Sequence, residues 1–215
     1  MVSYHIYAGQ SLEEAVVLVA DGSLLVHFAA TEQSEGDDVA TIETERLVLR
    51  PWDEKDAEAL YRWAKDPEVG PRAGWDPHRS VEESAQVIRE VLAVPESYAI
   101  VQKASEKNEP VGAVGLKFGM ASDLARGTQE AELGYWLARP LWGEGLIPEA
   151  AGALLEHAFL DLRLDAVWAG HYEGNAQSRR VMEKLGLAPQ FTRGTDGRLE
   201  HVMRVTRAEW TDRQR

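Results

Sequence analysis

The chain contains no cysteine. Disulfides, thiolate metal sites and a cysteine nucleophile are thereby excluded, and this usage fits a cytoplasmic protein. No apolar run approaches the length needed to span a bilayer, so no membrane partner is expected. The opening residues, MVSYHIYAGQSLEE, lack a basic stretch followed by an apolar core, and no signal peptide is expected. Lysine and arginine are missing until Arg46, whereas Glu13, Glu14, Asp21, Glu32, Glu35, Asp37, Asp38, Glu43 and Glu45 all precede it. The whole chain carries a net charge of −13, which argues against a nucleic-acid partner. Such a charge serves solubility, or draws in a cationic substrate. His157, His171 and His201 are scattered without ligand spacing, so no metal is expected.

What is present suits one well-buried domain with an appendage. The 215 residues are 44% hydrophobic and 27% charged, ordinary values for a globular chain. Residues 1–40 read as an acidic extension. Within it, apolar runs at 14–20 and 23–28 flank Asp21-Gly22, a hairpin signal. An isolated hairpin is marginal, so its apolar face would pack on the main domain or on a second copy, which allows a homodimer. Residues 31–39 (TEQSEGDDV) read as a linker.

The main domain is expected over residues 41–215. Strands are expected at 46–52, 98–103, 111–118, 130–137, 166–171, 191–192 and 199–206. Asp53, paired with Asp56, would cap a helix reaching about Lys65, and Ser80 with Glu83 would form a capping box for a helix to about Leu92. The Gly- and Pro-rich residues 66–79 read as loop. A helix over about 148–161 carries an apolar stripe of Ala151, Leu154, Leu155 and Ala158. A further helix over 176–185 would stop at Gly186. The fold class is α/β: a mixed, mostly antiparallel sheet with one parallel crossover, flanked by about four helices.

The most informative stretch runs from Trp142 to Ala150 (WGEGLIPEA). A glycine-rich turn feeding a helix brings backbone N–H groups and a positive helix end to one point, which suits a pyrophosphate. Alone it could equally be a tight loop. Four segments in order add weight: Glu45 to Pro51 (ERLVLRP), Gly74-Trp75 followed by Ser80 to Ser84, Glu132 to Leu137 (ELGYWL) with Trp142 to Gly145 (WGEG), and Asn175 to Ser178 (NAQS) leading to Met182 to Leu187 (MEKLGL). Together they resemble the GNAT superfamily of acyl-CoA-dependent N-acyltransferases, and most of all its RimJ/RimL branch, which acetylates protein N-terminal amines. The resemblance covers about residues 41–210.

The resemblance implies acetyl-CoA as co-substrate and a small-molecule or peptide amine as acceptor. It implies that Trp136, Leu137 and Ala138 offer backbone groups to the pantetheine arm. It further implies that Trp142, Gly143, Glu144, Gly145, Leu146 and Ile147 wrap the pyrophosphate, and that Asn175 and Ser178 stand near the thioester. Asn175 would also serve as a simple helix cap, and Ser178 as a small packing residue. The sequence departs from the family at Glu144, usually basic or neutral, at Ile147, usually Ala or Gly, and at Met182, where many relatives carry Tyr.

Amine attack on a thioester needs a neutral nitrogen, hence a base or water chain. Strand alternation puts Glu130, Glu132, Gly134 and Trp136 on one face. Glu132 is the expected base; otherwise it is a structural carboxylate at a sheet edge. Tyr172 and Ser178 are the candidates for the acid. Trp75 would cover the amine through its ring, or anchor its loop to the core. The alternatives to an enzyme are a non-catalytic acyl-CoA-binding regulatory module and an interaction protein working through its acidic hairpin.

Overall fold

The apolar runs beside Asp21-Gly22 form strands. The computed structural model describes the backbone of residues 17–20 and 23–26, and residues 41–215 apart from Asp196. Strand β1 (Val17–Ala20) pairs antiparallel with β2 (Ser23–Val26), Val17 opposite Val26. The turn itself, the linker at 31–39 and the other residues of the extension lie outside the described residues. The chain falls into two units, Met1–Asp38 and Val39–Arg215.

In the second unit, β3 (Ile42–Glu43) and β4 (Leu47–Pro51) open the sheet. Asp53 and Asp56 form the expected reciprocal capping box, over a 3-10 turn that leads into α1 (Ala57–Ala64). Residues 66–79 are not all loop, because a short helix, α2 (Gly70–Ala73), stands among them. Pro71 suits a first helical turn, and Gly74 ends it in the left-handed region at φ 94°. Helix α3 (Val81–Val87) starts at Ser80, whose hydroxyl accepts from the Glu83 N–H. The reciprocal half of that box is absent, since the Glu83 carboxylate takes the Arg79 N–H at 2.6 Å instead. A π-helical turn (Ile88–Leu92) follows.

The chain continues through β5 (Ser97–Gln102), β6 (Pro110–Lys117) and β7 (Glu130–Leu137) to α4 (Leu146–Leu160). Then come β8 (Ala166–Tyr172), α5 (Ala176–Leu185), β9 (Ala188–Thr195), β10 (Arg198–Thr206) and α6 (Arg207–Arg213). The described residues thus carry six α-helices where about four were expected; α2 and α6 are the short additions.

The sheet order is β3-β4-β5-β6-β7-β8-β10-β9, with every pairing antiparallel except β7–β8. Helix α4 is the crossover between those parallel strands. Its Leu154, Leu155, Ala158 and Phe159 are buried in the main core with Leu133, Val167 and Met203 from the sheet. On the other face, Trp52, Ala57, Leu60 and Ile88 form a second core with Ala99 and Ala113. The two layers leave the middle strands covered on both sides, so β7 is central and Glu132 does not lie at a sheet edge.

Candidate active site

Strands β7 and β8 are paired at only three positions, Glu130↔Ala166, Ala131↔Val167 and Glu132↔Trp168. Beyond these, β7 runs on to Leu137 and β8 to Tyr172 without pairing to each other. The far edge of β7 is bonded to β6 and that of β8 to β10. The strands therefore part in a wedge bordered by backbone whose polar groups need partners. An extended chain bearing amides can supply them.

The glycine turn stands at the end of β7. Gly143 and Gly145 have φ of 88° and 79°, conformations that favour glycine. Gly145 is the N-cap of α4 and supplies no side-chain cap. Among the described residues, the N–H groups of Gly143, Glu144, Gly145, Leu146 and Ile147 donate to no protein acceptor. Five free donors at the positive end of a fifteen-residue helix suit an anion chemically. The Trp142 ring braces the turn by donating from Nε1 to the Leu137 carbonyl at 2.8 Å.

Two of the three departures noted above, at Ile147 and Glu144, are accommodated. Ile147 is buried in the main core beneath the turn, so its β-branched side chain fills core. Glu144 is exposed, and its carbonyl accepts from Arg46 Nη1 at 3.0 Å. That arginine also donates to Glu149 of α4, from Nε at 2.6 Å and from its backbone N–H at 2.8 Å, and Thr44 donates to the same carboxylate at 2.6 Å. Burial raises the Glu149 pKa, but these hydrogen bonds outweigh it and hold the group below its ordinary range.

Asn175 caps α5, with its Oδ1 accepting from the Ser178 N–H at 3.2 Å, and its Nδ2 donates to the Arg72 carbonyl at 3.3 Å. The Ser178 hydroxyl lies 2.9 Å from the phenol oxygen of Tyr135. Tyr135 projects from β7 on the face opposite Glu132, into the main core. Burial pushes its pKa up, only partly offset by Ser178, so it stays a protonated phenol. Sequence reasoning passed over Tyr135, although alternation from Glu132 assigns it to that face. Met182 is buried core, and Ser178 therefore meets a tyrosine from the strand and none from its own helix.

On the other face, the expected row is real. Glu130 accepts from Trp168 Nε1 at 2.8 Å, Glu132 accepts from Ser122 Oγ at 2.9 Å and the Asp123 N–H at 3.1 Å, and Trp136 meets Trp75 edge-on at 6.0 Å. Lys117 Nζ lies 3.4 Å from the remaining Glu132 oxygen, and its stem passes over Gly134. Trp75 packs on Gly70, beside His78 and the second core, so it anchors its loop as well as facing the sheet. Burial lowers the pKa of His78, opposed by Glu83, and the ring is neutral at pH 7.

Helix α2, missed in the sequence, bridges the wedge. The Arg72 guanidinium sits 5.2 Å over the Trp142 ring on one lip, and its carbonyl holds Asn175 on the other. Arg198 donates to the Pro71 carbonyl at 2.8 Å while lying 3.7 Å over the Tyr172 ring. The Tyr172 hydroxyl abuts Gly74. Thus α2 and Trp75 touch Trp136, Trp142, Tyr172 and Asn175 around the wedge, with Ser178 hydrogen-bonded to Asn175. Glu132 stands at the apex of the wedge, at the last paired position.

Comparison with known proteins speaks to the family and the fold. The family model described as an acetyltransferase (GNAT) domain matches residues 46–188. An uncharacterized N-acetyltransferase, p20, of Bacillus licheniformis is 31% identical over 150 residues, covering 67% of this chain and 80% of that protein. A GNAT-family acetyltransferase structure from Bacillus anthracis superposes with a TM-score of 0.68 at 20% identity, covering 79% of this chain and 99% of the other. The aminoglycoside acetyltransferase AAC(6')-Ib, solved in complex with coenzyme A, superposes at 0.65 with 21% identity, covering 79% and 99%. At that identity the structures speak for the fold; the family match covers well over half of the sequence. The chain belongs to the GNAT family of acetyltransferases.

Proposed function

We propose that this protein moves an acetyl group from acetyl-CoA to a primary amine, either a protein N-terminus, as in the RimJ/RimL branch, or a cationic small molecule. The observation that carries this reading is the wedge between β7 and β8, with five unpartnered N–H groups at the helix end beside it. The pyrophosphate would take the donors of residues 143–147, with Trp142 bracing the turn. The pantetheine amides would complete the free edge of β7 at Trp136, Leu137 and Ala138 and meet Asn175 and Ser178.

The acceptor approaches from the face of Glu132. Glu132 takes its proton directly or through water, the nitrogen attacks the thioester carbon, and the oxyanion is met by β7 N–H groups. The C–S bond then breaks and the CoA thiolate leaves; the nitrogen sheds its second proton, which reaches the thiolate by relay through the Ser178 hydroxyl or Tyr172. The Ser178–Tyr135 hydrogen bond, with its phenol held protonated, favours Ser178. No protein nucleophile is required. Trp75 lines the acceptor side.

Two measurements test the reading. Acetyl-CoA should raise the melting temperature, since a ligand that binds only the folded form stabilises it. Free thiol should appear when an amine panel is added. Glu132→Gln should lower kcat by about 100-fold or more while leaving the acetyl-CoA shift unchanged. Binding without thiol release, and indifference to Glu132→Gln, would support the regulatory module instead, a role favoured by the engagement of Glu132 with Lys117. No acetyl-CoA shift would overturn both.

A further inference from the structure

One carboxylate on the acceptor face has no part in the scheme above. Strands β8 and β10 pair so that Trp168, Gly170 and Tyr172 stand opposite Arg204, Val202 and Glu200. Gly170 lies two residues past the last β7–β8 pair, on the border of the wedge. Having no side chain, it leaves a space that the Glu200 carboxylate fills; a Cβ on Gly170 would come within 2.9 Å of Glu200 Cδ and overlap its Oε1. Glu200 Oε2 is fixed by Arg193 Nε at 2.6 Å and Thr195 Oγ1 at 3.2 Å, and Arg193 is fixed in turn by the Asp123 carbonyl at 3.2 Å. Its side chain is 12% exposed. Among the described residues, Oε1 has no hydrogen-bond partner.

The neighbouring carboxylates are differently placed. Both oxygens of Glu132 are engaged, by Ser122, Asp123 and Lys117. Glu130 keeps one oxygen free, but it stands at the start of β7, where the strands are still paired. Glu200 is the rigidly held carboxylate with a free oxygen over the strand that borders the wedge. An enclosed anion is stabilised by each cation brought to it; Arg193 and Thr195 both engage Oε2, and Arg198, over the Tyr172 ring, makes no ion pair with Oε1 among the described residues. Tyr172 flanks it across the ladder.

We infer that Glu200 binds a second cationic centre of the acceptor, so that the preferred substrate is a small amine carrying another positive charge a few bonds from the reacting nitrogen. Gly170 is what lets the carboxylate reach that position. This rests on the acetyltransferase reading proposed above.

The test compares butane-1,4-diamine with butylamine as acceptors, by acetyl-CoA-dependent thiol release. The diamine should be preferred by about tenfold or more in kcat/KM, through a lower KM. Glu200→Gln removes the charge, and Gly170→Ala keeps the charge but displaces it; both should abolish the preference while leaving butylamine turnover and the acetyl-CoA melting shift unchanged. Only the Glu200 side chain, and no backbone, must yield to the Gly170→Ala methyl, so that variant should fold even if Glu200→Gln disturbs Arg193. A diamine no better than butylamine, or a preference surviving in both variants, overturns the inference. So does a protein that acetyl-CoA stabilises but that turns over neither amine, and in that case donor binding still stands. Absence of the acetyl-CoA shift in the unaltered protein would instead strike the acetyltransferase reading itself, and this inference with it.

Discussion

Replacing Glu149 by Gln tests how the glycine turn is held. The carboxylate accepts from Thr44 Oγ1, the Arg46 N–H and Arg46 Nε, and is 17% exposed. Glutamine keeps the volume and one acceptor oxygen, losing the charge and one acceptor. A hydrogen bond to a charged group contributes roughly 1.5–3 kcal/mol, against about 1 for a neutral one. Arg46 is 47% exposed, so solvent screens its share. A net loss of about 2 kcal/mol follows, or ~4–8 °C in melting temperature for a unit of this size. The folded pKa of Glu149 lies below its unfolded value of about 4.3, so its contribution is complete above that value and fades as pH falls through the folded pKa. Urea titrations should show Glu149→Gln less stable at pH 7, with the gap narrowing as pH is lowered toward about 3. Because Arg46 also holds the Glu144 carbonyl, the acetyl-CoA melting shift should shrink as well. Equal urea midpoints at pH 7, or a gap constant across the pH range, would refute the reasoning.

Asn175→Ala removes the α5 cap and should destabilise by about 1 kcal/mol. Asn175→Asp should preserve that stability but, lacking the amide donor to Arg72, should speed tryptic cleavage after Arg72; equal cleavage rates would mean that the tether holds nothing. Gly70→Ala would bring a methyl to 2.5 Å from the Trp75 ring and 2.7 Å from its carbonyl, so backbone must move. A loss of about 1–3 kcal/mol and a changed near-ultraviolet signal from Trp75 are expected, and an unaltered spectrum would count against the packing described.

The central strands were legible because their patterns are locally complete. Glu130–Leu133 alternates polar and apolar residues and runs on into the apolar Tyr135–Leu137, and Ala176–Leu185 carries both its Asn175 cap and its Gly186 stop. Helix α2 was not, because four residues cannot display a helical period, and the glycines and prolines around it read as loop. Its only signals were Pro71 at the start and Gly74 at the end. At the site, the sequence pointed to the turn and to Glu132. It could not reveal that Tyr135 reaches Ser178, forty-three residues away, or that Glu200 covers Gly170, because such contacts depend on strand register. The π turn after α3 is likewise invisible to periodicity, and it shortened that helix relative to expectation.

The opening between β7 and β8 also cuts the sheet into a five-stranded and a three-stranded half, stitched by three residue pairs and one crossover helix. A donor threaded along those bare margins, as proposed above, would supply the missing rungs. Occupancy would then become cohesion: the loaded molecule should resist opening along its own seam, and amide exchange in the rows flanking that seam should slow before any catalytic event takes place.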